Sequence, residues 1–415
     1  MTTKPVPASG VPLRTMSVLM LAVFTVSVGY GVVLPLLPYL IERLLGTNGG
    51  TLAVSRTTGV LTGLYMLGLF LFAPAWGRLS DRYGRRTILL IGLNGFGLVN
   101  VIFAFVDGLT AVYAERFLSG VFAAAVTPVA LAVIGDLATT EVARARRLTF
   151  VSLAGISGFL IGPVLGVAIA RSASNIGPTV NQTGSLAIPL AATAVMALLV
   201  AIAATLAVPG TTREDAVIEI KRPTSGSTGW LVPKLLLLAF IVSAAVGVFE
   251  VGLALRGTQE IGLTPYQIAV MFTECSLVMF AVQAVVFSPK VSPGTTRWVI
   301  GPAFGVLAVG LFLVPRASDF NLMLAAVGVV SASAGILSPI LTYWVSSHAG
   351  HGQGAELGRQ TAVSSLGAAA GSAAGGLLFG VGPVPHASFL LVALLAAVGV
   401  LLSVGLPQQL QRRSR

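Results

Sequence analysis

Two carboxylates stand where carboxylates are expensive. Glu250 and Glu274 each interrupt a long apolar run, and an acid at the centre of a bilayer costs about 2.5–3.5 kcal/mol on insertion scales. Loss of hydration favours the neutral form of an acid, so a group in that setting is suited to taking up and releasing a proton. Exchange follows if proton and substrate compete for the same cavity. Glu274 lies near the middle of its run and is the better placed of the two. Glu250 falls closer to the outer interface, where Arg256 is within reach as a partner. The other reading of either acid is a structural ion pair or hydrogen bond.

A second concentration of charge is Gly77-Arg78-Leu79-Ser80-Asp81-Arg82-Tyr83-Gly84-Arg85-Arg86, in a chain whose charged residues amount to 9%. Charges this dense between two close apolar runs make a tight loop on one membrane face. Asp136, Glu141, Arg144, Arg146 and Arg147 form a second charged loop. Asp81 and Asp136 with the neighbouring arginines can form an ion-pair latch over an inner mouth, breaking and re-forming between states. Arginines beside membrane segments also set topology alone, which explains the cations but not the two acids.

The elements that position these groups are membrane helices. Hydrophobic residues make up 55% of 415 and the mean hydropathy is +0.92, a composition that excludes an ordinary soluble domain. A span needs about 20 apolar residues. Twelve runs of that length fall near 14–40, 57–76, 85–106, 109–137, 147–170, 186–208, 231–255, 265–287, 297–315, 319–346, 358–381 and 386–406. Alternation with a period of two is missing, which argues against a β-barrel. The first run is longer than a signal-peptide core, lacks a small-residue cleavage site and is soon followed by another, so it is expected to stay. Residues 209–230 are polar and rich in Gly, Pro, Ser and Thr, which reads as a cytoplasmic linker between six spans and six. The expected domains are therefore 1–208, 209–230 and 231–415. Most of the 25 basic residues, Arg78, Arg82, Arg85, Arg86, Arg144, Lys221 and Arg359 among them, fall on the side that holds both termini. That bias predicts cytoplasmic termini. The formal net charge of +11 is then a basic face toward anionic lipid, with no nucleic-acid partner.

The spacing Gly-x-x-x-Asp-Arg-x-Gly-Arg-Arg at 77–86 resembles the loop between helices 2 and 3 of the major facilitator superfamily. Arg116 and Gly120 match that family's R-x-x-x-G pattern on helix 4, where the resemblance implies a part for the arginine in proton transfer. Snorkelling to the interface is the alternative. Gly158, Gly162, Pro163 and Gly166 resemble the antiporter motif of helix 5, which implies export; glycines at this spacing also serve plain close packing. With Gly29-Tyr30-Gly31 and Pro35 to Pro38, residues 20–170 resemble the drug:proton antiporters of the tetracycline-efflux type. The chain departs from that type at Val26 and Val99, where those exporters carry acids, which makes a tetracycline–cation complex a poor expectation. The resemblance implies an all-α membrane protein, with twelve transmembrane helices in two six-helix bundles. Helices 1, 4, 7 and 10 would line the cavity, nominating Phe24, Tyr30, Phe122, Thr127, Phe249, Ser338, Thr342 and Tyr343, an aromatic and mildly polar wall suited to an amphipathic molecule. Gly367, Gly371, Gly375 and Gly376 on helix 11 read as a sliding interface.

The expected function is proton-coupled export of a small organic compound by a monomer in a bacterial inner membrane, its partners being substrate, protons and lipid. Uptake by symport on the same fold and a non-transporting scaffold or sensor are the rivals. No enzyme chemistry, cofactor or metal is expected. The chain lacks G-x-x-x-x-G-K-[ST]. Cys275 is its only cysteine, so no intrachain disulfide is possible. His348 and His351 have only Glu356 nearby as a third ligand, and read as a solvated helix end.

Overall fold

The computed structural model describes residues 12–46, 50–104, 108–137, 141–174, 180–210, 230–286, 293–348, 353–381 and 386–412. Residues 211–229, most of the expected linker, and His351 lie outside the described residues, as do the side chains of Arg144, His348 and Glu356. The described part is helical throughout. In chain order the helices are α1 (Leu13–Val33), α2 (Leu37–Leu45), α3 (Gly50–Tyr83), α4 (Arg85–Ala104), α5 (Leu109–Leu137), α6 (Glu141–Ser174) and α7 (Val180–Ala207). They continue with α8 (Leu231–Arg256), α9 (Pro265–Val286), α10 (Ile300–Leu313), α11 (Phe320–His348), α12 (Gln353–Leu377), α13 (Ala387–Ser403) and α14 (Leu406–Arg412).

Among the described residues, nine helices are long and apolar enough to cross a membrane, and the segments Ile300–Arg316 and Ala387–Ser403 are shorter apolar helices. Helix α12 is built largely from Gly, Ala and Ser, so its surface is small rather than greasy. The expected first span, 14–40, is a correction. The chain leaves α1 at Val33, turns through Leu34–Leu36 and starts α2 with Pro38 in its first turn. Proline has no N–H to donate and is accepted at a helix start, not in its interior. The run expected at 57–76 extends over 50–83, because its polar ends continue the helix beyond the apolar core. Helix α8 continues into a π-helical turn, Gly257–Ile261, ending at Gly262 in the left-handed conformation.

In lipid there is little hydrophobic gain in helix association, so close contact must supply it. The glycines of α6 provide such contact against α1. A Cβ placed on Gly158 would lie 2.5 Å from the Phe24 carbonyl oxygen, and one on Gly166 2.8 Å from that of Val32. Helix α12 is wedged on two sides: a Cβ on Gly371 would collide with the Ala244 oxygen in α8, while one on Gly376 would lie 2.6 Å from the Gly59 Cα of α3. Helices α3 and α12 pack together, as do α6 and α9, and these contacts join elements before residue 208 to elements after 230.

Candidate functional site: a buried carboxylate in an aromatic chamber

Helices α1, α6, α8, α9 and α11 line a cavity of about 270 Å³. Its wall is mainly apolar, with Tyr30, Phe159, Phe249 and Met279, and its polar groups include Glu250 and Ser331. The Tyr30 hydroxyl donates to Glu250 Oε2 at 2.7 Å, linking residues 220 positions apart. This corrects the expected pairing of Glu250 with Arg256. Arg256 instead pairs with Glu260 one turn on, and its Nη2 donates to the Ala317 carbonyl at 2.6 Å. The reason is geometric: Glu250 lies about one and two-thirds turns before Arg256 and so faces a different side of α8.

Tyr30 does not stand alone. Its ring stacks on Tyr65 of α3, centroids 4.9 Å apart at 28°, and on Phe159 of α6 at 5.8 Å and 24°. The Arg116 guanidinium lies 5.7 Å from the centre of the Tyr65 ring. Arg116 is only 4% exposed and bonds Glu115 through two nitrogens, while Ser119 donates to Glu115 at 2.8 Å. Arg116 therefore does not snorkel. A buried cation needs a partner and hydrogen bonds, and the neighbouring acid supplies both. The neutral pair Glu115–Arg116 thus stands two aromatic rings away from Glu250, each ring touching the next.

Glu274 sits beside the chamber rather than in its wall. It is half-buried on α9, next to cavity-lining Cys275, and a Cβ on Gly328 of α11 would lie 3.2 Å from its Oε1. Among the described residues its Oε2 is buried with no hydrogen-bond partner.

Of the expected cavity residues, Tyr30 and Phe249 line this chamber. Phe24 lies with its backbone against Gly158, and Phe122 packs on Gly95 and near Trp76, ring centroids 6.4 Å apart. Thr127, Ser338, Thr342 and Tyr343 are exposed further along α5 and α11, where Thr342 also accepts from Gln360 at 2.6 Å.

At the charged loop, Arg85 gathers the two acids: Asp81 lies 2.5 Å from Nη1, and Nε donates to Asp136 at 3.0 Å. Ser80 joins them, accepting from Arg85 Nη1 at 2.6 Å. Arg86 bonds the Thr205 carbonyl of α7, and the Arg82 guanidinium sits 5.4 Å from the centre of the Tyr83 ring. Gly84 has φ +92°, a conformation that side chains resist, and it makes the one-residue break between α3 and α4. Around Gly77 nothing stands within 4 Å of where a Cβ would be.

Sequence reading missed Tyr65, Phe159 and the role of Glu115 as the partner of Arg116. The last had a signal: two opposite charges side by side in an apolar helix satisfy one another. The aromatic rings had none, since ring contacts between distant helices leave no mark in either run.

A helical membrane bundle with an acid-bearing chamber between its earlier and later helices is a secondary-transporter architecture. Residues 19–355 match the Major Facilitator Superfamily, and the chain belongs to that family. It is similar to multidrug resistance protein 2 of Bacillus subtilis (strain 168), 26% identical over 93% of this chain and 94% of that one. A shorter stretch, 34% of this chain and 33% of the relative, is 34% identical to the class B tetracycline resistance protein of Escherichia coli. Among solved structures, a D-xylose-proton symporter superposes with a TM-score of 0.75 at 17% identity, covering 94% of this chain and 96% of that one, and shares its fold.

Proposed function

We propose that this protein exports small amphipathic organic compounds in exchange for protons, by alternating access. The two moving bodies are residues 1–208 and 231–415, six spans each, joined by 209–230, and the protein works as a monomer in a bacterial inner membrane with both termini in the cytoplasm. It performs transport and no covalent chemistry.

The observation that carries the reading is the Glu250 carboxylate in an apolar, aromatic chamber, where Tyr30 bonds it across the two halves and is its one hydrogen-bond partner among the described residues. A carboxylate there alternates between holding a proton and drawing in a substrate, since neither leaves room for the other to be equally stable. Glu274 is the second proton-binding group, and Arg116, held by Glu115 against the Tyr65 ring, takes part in proton coupling without entering the chamber. The glycine–proline face of α6 and the names of the multidrug and tetracycline resistance relatives support export.

The contacts between halves support an inward-open state for this conformation. Tyr39 bonds the Leu263 carbonyl, Ser55 donates to Gln259 at 3.1 Å, and Gly59 meets Gly376. All belong to the helix ends assigned here to the outside. Aspartates 81 and 136 with Arg85 then form a clasp within the first half on the cytoplasmic side, and Gly77, Arg82, Gly84, Arg86 and Arg144 are assigned to the same gate from the sequence motif alone.

The test is a pH-gradient assay on acid-loaded everted vesicles against a panel of amphipathic compounds. Substrate-induced proton release, lost in Glu250→Gln, is expected. Proton movement in the opposite sense would replace export with uptake, and silence across the panel would favour a scaffold.

A further inference from the structure

Gly29-Tyr30-Gly31 is more than a flexible triplet. A Cβ on Gly29 would lie 2.6 Å from the Phe96 ring, and one on Gly31 3.0 Å from the Pro163 ring. Both neighbours of Tyr30 are therefore pressed against other helices, α4 on one side and α6 on the other, so its backbone has little room to shift. Its side chain is held as tightly. Tyr65 and Phe159 both stack nearly parallel to it, at 28° and 24°. Tyr65 is itself placed by the Arg116 guanidinium, and Arg116 by Glu115. A phenol fixed in this way keeps one freedom, rotation of its O–H, and its oxygen stands 2.7 Å from Glu250 Oε2. No other hydrogen-bond donor to Glu250 occurs among the bonds of the described residues.

We infer that Tyr30 is a positioning residue for proton exchange: stacked on Tyr65 and Phe159 in the first half, its hydroxyl orients the Glu250 carboxylate of the second half and favours its proton-free form. The inference rests on Glu250 being the exchanging acid. It assigns Tyr30 to coupling, beyond lining the chamber. A hydroxyl that donates to a carboxylate stabilises the ionised state. Separation of the halves during transport breaks this bond and leaves Glu250 without a donor, so proton uptake and conformational change become one event. The stacked rings make the arrangement all-or-none, because the hydroxyl reaches the acid only while α1, α3 and α6 hold their places.

The experiment is an infrared pH titration of the full-length protein in lipid nanodiscs, which needs no substrate. The carboxyl band of Glu250 is the one missing from Glu250→Gln. In Tyr30→Phe, which keeps the stacked ring, its midpoint is expected to move alkaline by about one pH unit, a tenfold change in proton affinity. Tyr65→Leu should shift it in the same direction, with Tyr65→Phe as the conservative rescue. An unchanged midpoint in both Tyr30→Phe and Tyr65→Leu would overturn the inference and leave Glu250 as the proton carrier. A wild-type spectrum with no titrating band that Glu250→Gln removes would instead overturn the reading on which it rests.

Discussion

Arg85 reaches 51 positions along the chain to Asp136, Nε to Oδ2 at 3.0 Å, while the same guanidinium holds Asp81. One cation thereby ties the ends of α3, α4 and α5. Both acids are well exposed, 63% for Asp81 and 49% for Asp136, and exposed pairs contribute about 0.2–1 kcal/mol. Arg85→Ala should therefore leave the melting temperature nearly unchanged while transport in vesicles falls severalfold. A large loss of stability with normal transport in the surviving protein would make the clasp purely structural.

The buried pair behaves differently. Glu115 and Arg116 are each 4% exposed, and removing one partner of a buried pair costs about 3–5 kcal/mol because the other is left charged and unpaired. Arg116→Ala is expected to lower the melting temperature and the yield of folded protein sharply. Arg116→Ala with Glu115→Ala should recover part of the loss, and a double variant no better than the single would show that the pairing is not what matters.

The two glycines of the charged motif should separate. Gly84 needs its positive φ, so Gly84→Ala is expected to destabilise by about 1–2 kcal/mol. Gly77→Ala, inside α3, adds a methyl group to open space and should melt at or slightly above the parent, since alanine favours a helix over glycine by about 0.5–1 kcal/mol. Thermal unfolding of the two variants side by side checks the contrast.

On the α1–α6 face, Gly158→Ala would drive a methyl group against a backbone carbonyl at 2.5 Å. Overpacking of this kind costs about 1–3 kcal/mol. Gly77→Ala serves as the reference, and equal thermal stability of the two would remove Gly158 from the packing account.

A pH effect is expected outside the spans, where His386 faces Glu260 from the π turn, Arg256 from α8 and Phe379 from the turn just after α12. Arg256 Nη1 lies 3.4 Å from His386 Nε2, and a guanidinium only donates, so Nε2 must accept. Nδ1 is 3.4 Å from Glu260 Oε1, within ion-pair reach but without hydrogen-bond geometry. Burial first, and Arg256 as well, push the imidazole below its ordinary pKa, with Glu260 opposing. The unfolded chain then binds the proton more readily, so stability is present above the ordinary value and is lost as pH falls below about 6.5. His386→Asn, which tolerates the left-handed backbone at φ +65°, should flatten the acid limb of melting temperature against pH. An unchanged limb would place the acid sensitivity elsewhere.

Much of the bundle was legible because length and apolarity are local properties. The runs at 109–137 and 265–287 match α5 and α9 closely, since their apolar stretches are long and end where the chain turns polar or meets proline. The break after Val33 was not, because Leu34, Leu36 and Leu37 keep the run apolar and only Pro35 and Pro38 mark the turn. In the site, Glu250 stood out by its cost in lipid, but its partner could not be read. Arg256 is six residues away and chemically apt, whereas Tyr30 lies 220 positions off and is chosen by how helices pack. The Asp81–Arg85 pair was readable as neighbours one helical turn apart, while Asp136 needed the fold to bring it there.

The chamber is unevenly furnished. Tyr30, Gly155, Ile156 and Phe159 come from the earlier helices, and the remaining lining residues, from Val246 to Ala334, come from the later ones. Selectivity can therefore drift by exchanging side chains on α8, α9 and α11, while the wiring that runs through Arg116 and Tyr65 stays untouched. On the proposed reading, new cargo would be learned on the same helices that carry Glu250, with the earlier helices holding that acid in place through Tyr30.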